Sequence, residues 1–392
     1  MNNFIYYTPT KIYFGKDEEK KIGKLIKEYH PHKVMIVYGG GSIKKIGLYD
    51  TVINALKEED IDFIEVSGVK ANPELPLAYE AIKLGIKEKV DFVLAIGGGS
   101  VLDTAKDIAH GIADPSVDIW DFHLHKKEPK ASLHKASILT IAAAGSEMSN
   151  SSVITKPETK EKKGYKSDFN RFDFSIENPE LTYSVSKYQT ACGIVDIGMH
   201  TIERFFDLGD VSALTDNLAL AVIKTVFEYG LKAYNNPNDY TARSEIMWCS
   251  TIAHNGLTHM GRKMLLVVHQ LEHELSGLDP NIAHGAGLAA LWCSWARYSY
   301  KYNKDRFLRY VHEIWNVKGD DDNAILEGIK KQEDYYKSIG MPTSLEELSI
   351  KKEDLEYLAL RCSNNKSKVI DGYNPIGYQE MLDIYRLAYP KR

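Results

Sequence analysis

Twice in the first hundred residues a short apolar run passes directly into three glycines and a serine. Val34 to Tyr38 leads into Gly39-Gly40-Gly41-Ser42, and Phe92 to Ile96 leads into Gly97-Gly98-Gly99-Ser100. A strand with no polar alternation is one buried on both faces, and strands of that kind belong to parallel sheets whose crossovers are helices. The intervening sequence has the same grammar. A polar helical stretch runs from Ser42 through Lys57, a strand from Ile61 to Val66, and a helix from Pro76 to Lys89. Ser137 to Ile141 is a further apolar run, and Val153 to Lys166 is polar and lysine-rich, as a hairpin or flap would be. Strand, glycine turn, helix, strand predicts an α/β domain.

Beyond Tyr183 the texture changes. Apolar residues recur at three- and four-residue intervals through Ala213–Ala233, Tyr240–His259, Met264–Leu275, Gly285–Tyr302 and Asp305–Val317, with little strand signal between them. At 392 residues the chain has room for two domains. The expectation is an α/β domain over residues 1–182 and an all-α domain over 183–392. Lys and Arg total 49 against 54 Asp and Glu, a net charge of −5, which offers a nucleic acid no general attraction. No stretch reaches the roughly 18 apolar residues a membrane helix needs. The four cysteines form no C-x-x-C pair, which argues against a disulfide framework or thiolate zinc cluster and fits a reducing cytoplasm.

The glycine runs and the histidines carry the chemistry. Glycines at a strand-to-helix turn let backbone N–H groups approach a phosphate at the positive end of the helix dipole, so the run at Gly97–Ser100 suits a pyrophosphate, or else makes only a tight turn. Leu102 and Lys44 stand where a G-x-G-x-x-G fingerprint has its third glycine, and neither run ends in Gly-Lys-Ser/Thr, so the standard Rossmann and Walker readings are disfavoured. Six of the 13 histidines (His200, His254, His259, His269, His273, His284) fall within 85 residues of the helical half. Asp196 and His200 are four apart, as are His269 and His273, so each pair projects from one helix face. Two facing helices could thus offer three nitrogens and a carboxylate to a metal; hydrogen-bonded core or surface histidines are the alternative. Gln270 stands where H-E-x-x-H has its general base, which removes the metalloprotease reading.

The order G-G-G-S-V-L-D-T-A-K, A-G-S-E at Ala144–Glu147, D-I-G-M-H at Asp196–His200, H-Q-L-E-H-E-L at His269–Leu275 and H-G-A-G-L-A at His284–Ala289 resembles the iron-containing alcohol dehydrogenases. Tyr38 to Gly47 and Met247-Trp248 are similar to the butanol dehydrogenase and NADPH-dependent aldehyde reductase branch. The resemblance spans essentially the whole chain. It implies a dinucleotide-binding α/β domain followed by a metal-binding helical domain, the dehydroquinate synthase-like architecture. It further implies that Asp196, His200, His269 and His284 bind a divalent metal, with His273 beside the nicotinamide without ligating. Gly98, Gly99 and Ser100 would cradle the pyrophosphate and Asp103 would lie near the ribose or nicotinamide. Asn72, Thr140, Ser146, Ser149 and Lys162 match other cofactor-contacting positions. Two departures stand out: Ala144 replaces the family's usual Thr, removing one hydroxyl, and Ile197 replaces Ala behind the metal helix.

The expected activity is interconversion of small primary alcohols and aldehydes by hydride transfer. A metal-dependent lyase or cyclase of the dehydroquinate synthase type is the alternative, and intact ligands argue against a binding protein that has lost its chemistry. A bound metal can lower the pKa of a coordinated water from 15.7 to roughly 7, and an alcohol of similar basicity would respond likewise. His273 is the candidate for supplying the proton in the reverse direction. Four protein ligands would close a tetrahedral zinc site, whereas Fe²⁺ accepts a fifth oxygen, so an N₃O set with an open position favours Fe²⁺, with Zn²⁺ as a substitute. The loop after the first strand has no acid before Asp50, so a 2′-phosphate could be held by the Gly40 and Gly41 N–H groups, the Ser42 hydroxyl and Lys162. That favours NADPH over NADH, with NADH also usable. Phe4 to Phe14 is rich in β-formers and is expected to support a homodimer interface or else to edge its own sheet.

Overall fold

The computed structural model of the chain describes residues 1–209 and 212–389. They form two compact units. One comprises residues 7–185 and 236–255, the other residues 1–6, 186–235 and 256 onward.

The first unit is built on a six-stranded parallel sheet. Its strands are β1 (Lys11–Phe14), β2 (Val34–Tyr38), β3 (Phe63–Val66), β4 (Phe92–Gly97), β5 (His134–Leu139) and β8 (Phe174–Glu177), in the spatial order β1-β8-β5-β4-β2-β3. A separate antiparallel hairpin pairs β6 (Ser151–Lys156) with β7 (Glu161–Lys166). Every residue of β2 and of β4 is buried, as their unbroken apolar composition requires. Val34, Ile36, Phe92, Leu94, Ala136, Ile138, Phe174 and Ile176 join Ile22, Ile26, Val52 and Leu56 from covering helices in one core. The sheet order reverses at β2, which pairs with β3 on one side and β4 on the other. The carboxyl ends of β2 and β4 therefore flank a topological switch point, where open α/β sheets bind their ligands. Both glycine runs leave the sheet there.

Several sequence expectations shift in detail. The helical stretch after Ser42 is two helices, Ser42–Lys45 and Leu48–Glu58, split at Gly47, whose φ of +75° suits glycine. Of the segment Phe4–Phe14, only Lys11–Phe14 forms a strand, which edges this subunit's own sheet beside β8. Phe4, Ile5, Tyr6 and Tyr7 remain exposed. The stretch Tyr240–His259 ends its helix at His254, because Gly256 takes a φ of +101° and a short 3₁₀ turn follows. That helix packs with the sheet unit, where Thr251 hydrogen-bonds Glu147 and Glu177, so the helical texture beyond Tyr183 is shared between the two units.

The second unit is helical in its described residues. Its helix Lys187–Phe205 is buried from Gly193 to Phe205, and Val267–Leu278 and His284–Ser299 pack on or beside it. A Cβ at Gly285 would overlap the Cys192 carbonyl, so the third helix approaches the first at backbone distance at its amino end. Among the described residues no helix is long and apolar enough to cross a membrane.

Candidate active site

The residues expected to bind metal converge within the helical unit. Asp196 and His200 lie one turn apart on Lys187–Phe205, His269 is in the first turn of Val267–Leu278, and His284 opens the next helix. Nδ1 of His200 is 3.0 Å from an Asp196 Oδ1, and Nε2 of both His269 and His284 is 3.8 Å from the same oxygen. The His200 and His269 rings lie 4.4 Å apart by centroid, and those of His269 and His284 5.3 Å. His273 faces His284 at 5.6 Å and groups with it and Glu272.

Two carboxylates absent from the sequence-based expectation organise this cluster. Glu203 accepts hydrogen bonds from His269 Nδ1 and from the backbone N–H groups of Val268 (2.6 Å) and His269 (3.1 Å). It thereby caps a helix amino end and fixes the ring in one step. Glu272 pairs with His284 Nδ1. In both histidines Nδ1 is thus engaged by a carboxylate and Nε2 is left to face Asp196, the arrangement of ligating imidazoles in metalloproteins. Spacing held part of the signal: Glu203 lies three residues after His200 and Glu272 three after His269, each about one turn further along the same helix face.

The donor set fits a divalent cation. Asp196 Oδ1 and His269 Nε2 are buried with no hydrogen-bond partner, an expensive state unless a further group lies between them. Burial would push the Asp196 carboxyl up, but His200, His269 and His284 together hold it well below the usual range. Burial lowers His200 to about 4. It would lower His269 as well, yet the Glu203 and Asp196 carboxylates outweigh it and raise the ring to about 9. Without a cation the cluster therefore retains a proton on His269.

The expected cofactor residues all lie in the sheet unit. Gly98 caps the helix Gly99–Ala113, whose amino end carries Gly99 and Ser100. A Cβ on Gly98 would collide with Ile141, and one on Gly99 would lie 2.9 Å from the Ala144 Cβ, so these glycines keep the turn tight and its N–H groups accessible. Ser100 donates to the Ala71 carbonyl, and Thr140 N–H to that of Gly97 at 3.0 Å. Asp103 accepts from Ser146 Oγ at 2.6 Å and from the Val153 N–H at 3.0 Å. Lys162 donates to Asn72 at 3.1 Å, and Ser149 bonds Ser151 at 2.6 Å. Gly40 and Gly41 have open space where a side chain would project, and Ser42 begins the short helix after them. His254 does not join the metal cluster; its Nδ1 lies 2.6 Å from the Ala144 carbonyl.

Comparison with known proteins gives a consistent result. Residues 9–179 match the model for iron-containing alcohol dehydrogenase, and residues 190–389 match the Fe-containing alcohol dehydrogenase family, C-terminal. The chain is 39% identical to NADH-dependent butanol dehydrogenase A of Clostridium acetobutylicum, over 99% of this chain and 100% of that one. It is 35% identical to an NADPH-dependent aldehyde reductase of Escherichia coli, over 89% and 90% respectively. The crystal structure of NADH-dependent butanol dehydrogenase A from Thermotoga maritima superposes with a TM-score of 0.96 at 37% identity, covering 100% of this chain and 99% of that one.

Proposed function

The chain belongs to the iron-containing alcohol dehydrogenase family, and from that premise we propose that it interconverts small primary alcohols, butanol among them, and their aldehydes, using iron and a nicotinamide cofactor. The observation that carries this reading is the pair of buried, unpartnered atoms Asp196 Oδ1 and His269 Nε2 in the group Asp196, His200 and His269, with His284 Nε2 3.8 Å from the same Asp196 oxygen. Asp196, His200, His269 and His284 would hold the ion. Bound there, Fe²⁺ supplies Lewis acidity to the substrate oxygen, with Zn²⁺ as the substitute.

The protein's own groups do the rest. Glu203 and Glu272 hold the His269 and His284 rings in one orientation. Gly98, Gly99 and Ser100 receive the pyrophosphate at a helix amino end. Asn72, Asp103, Thr140, Ser146, Ser149 and Lys162 would hold the remainder of the dinucleotide, with Asp103 fixed by Ser146 and the Val153 N–H. When bound, the nicotinamide would supply the hydride for aldehyde reduction, and His273 would relay the proton between water and the substrate oxygen.

The loop after β2 supports NADPH as the preferred cofactor, with NADH accepted. It carries no carboxylate to repel a 2′-phosphate, and the open space at Gly40 and Gly41 leaves their N–H groups and Ser42 available. Homodimer formation is supported by the position of β1 at the edge of the sheet among the described residues and by the exposed apolar segment Phe4–Tyr7. Light scattering should then give twice the 44.3 kDa chain mass, and a species of the single-chain mass at micromolar concentration would refute it. The four free cysteines support a reducing, cytoplasmic setting. The reaction reading is tested by mixing iron-loaded protein with butanal and NADPH. Reduced nicotinamide should disappear in step with aldehyde; a lyase or cyclase would show no net change in free cofactor.

A further inference from the structure

The helix that begins at the phosphate-binding glycines has an unusual buried face. Asp103, Lys106, Asp107 and His110 lie at spacings of three, four and seven, and the last three are at most 2% exposed. A buried helix stripe is ordinarily apolar, and a polar one demands a partner for each group. The hairpin β6–β7 and the chain around it supply most of those partners. Val153 N–H reaches the Asp103 carboxylate, and Lys106 Nζ donates to the Ser151 carbonyl at 2.7 Å. His110 Nε2 lies 2.8 Å from Asn170 Oδ1, and Asn170 Nδ2 donates to the Asn150 carbonyl.

The centre of this arrangement is Asp107. One of its oxygens accepts from the Tyr165 hydroxyl on β7 at 3.1 Å and the other pairs with His123 Nε2 at 3.1 Å. The opposite nitrogen of His123 lies 2.9 Å from the carbonyl of Lys163 on β7. The His123 ring meets Tyr165 edge-on at 4.7 Å and stacks on Trp120. Along β7 only Tyr165 is fully buried, so apolar burial alone cannot fix where this strand docks. An isolated two-stranded hairpin is itself marginal. Its placement on the helix is therefore set by the polar bonds together with the buried side chains of Ile154 on β6 and Tyr165 on β7. Lys163, whose backbone is held, adjoins Lys162, whose ammonium donates to Asn72.

We propose that Asp107, His123 and Tyr165 form a positioning latch that docks the β6–β7 hairpin on the helix Gly99–Ala113 and so places the Lys162 ammonium for the dinucleotide phosphates. None of the three touches cofactor in this account. The inference rests on the reading of Lys162 as a cofactor contact given above. Tyr165→Phe removes one hydroxyl without changing shape, and Asp107→Asn removes the shared charge.

The test is NADPH titration by fluorescence on the metal-loaded enzyme, with kcat at saturating NADPH and thermal melting measured in parallel. Lys162→Met should weaken NADPH binding about tenfold, as loss of a charge-assisted contact would. Tyr165→Phe and Asp107→Asn should each raise the NADPH Kd several-fold while kcat stays within about twofold. Adding Tyr165→Phe to Lys162→Met should weaken binding no further, because the two act through one contact. If Tyr165→Phe lowers the melting temperature but leaves Kd unchanged while Lys162→Met weakens it, the latch is only structural and the proposal falls. If Lys162→Met itself leaves Kd unchanged, the reading of Lys162 falls first and the latch with it. Should Asp107→Asn fail to fold, Tyr165→Phe decides alone.

Discussion

Replacing Glu203 by glutamine probes the support of the metal cluster while leaving the proposed ligands in place. The carboxylate accepts three hydrogen bonds, from the His269 ring and from two N–H groups of the helix that carries it. Glutamine keeps the volume but loses the charge and one acceptor. A bond to a charged group contributes about 1.5–3 kcal/mol, and removing an orienting partner of a ligating histidine weakens metal binding by about 10–100-fold. Protons add a second signature. Burial would depress His269, but Glu203 and Asp196 raise it to about 9, so between pH 7 and 9 an incoming ion must displace one proton from the ring. Wild-type affinity should therefore rise about tenfold per pH unit across that range. The Gln variant, with its ring less basic, should have a shallower slope. The two curves should lie close together near pH 7 and diverge towards pH 9. In the metal-free protein the ring contributes stability fully present below its ordinary value of 6.5 and lost as pH rises through about 9. Zn²⁺ titration against a competing chelator, with released protons counted by calorimetry in two buffers, reads both effects. Parallel pH curves, or a variant binding as tightly as wild type at pH 9, would refute the reasoning.

His269→Ala and His284→Ala should abolish stoichiometric metal by elemental analysis, whereas His273→Ala should keep the ion and lose chiefly kcat. Metal loss in His273→Ala with retention in His269→Ala would invert the assignment. For the cofactor, kcat/KM with NADPH should exceed that with NADH by at least about tenfold, roughly 1.4 kcal/mol. Gly40→Asp, for which the structure has open space, should narrow or reverse that ratio; an unchanged ratio would show that this loop does not read the 2′ position.

Much of the molecule was legible because its signals are local. Unbroken apolar runs at Val34–Tyr38 and Phe92–Ile96 identify strands buried on both faces, and the glycines after them mark turns. The i, i+4 pairs on two helices put Asp196, His200 and His269 on faces that meet, while His273 groups with Glu272 and His284. What escaped was nonlocal. Glu203 and Glu272 look like ordinary solvated helix carboxylates until packing directs them at particular ring nitrogens. β8, Phe174–Glu177, is four residues long and gains its identity from pairing with β5 and β1. The helix Tyr240–His254 has the periodicity of the helical half but packs with the sheet unit, since sequence texture reports which face is apolar and not what covers it. The polar stripe on Gly99–Ala113 is hidden for the opposite reason: Lys106, Asp107 and His110 are residue types that ordinarily lie at a surface, and here they are buried.

The most direct test of the account is reconstitution of the purified protein. After chelation and anaerobic reloading, one Fe²⁺ per chain should bind and butanal-dependent oxidation of NADPH should return in proportion to occupancy, with Asp196→Asn, His269→Ala and His284→Ala neither retaining the ion nor recovering turnover. Full turnover by metal-free protein, or undiminished metal in all three variants, would contradict it.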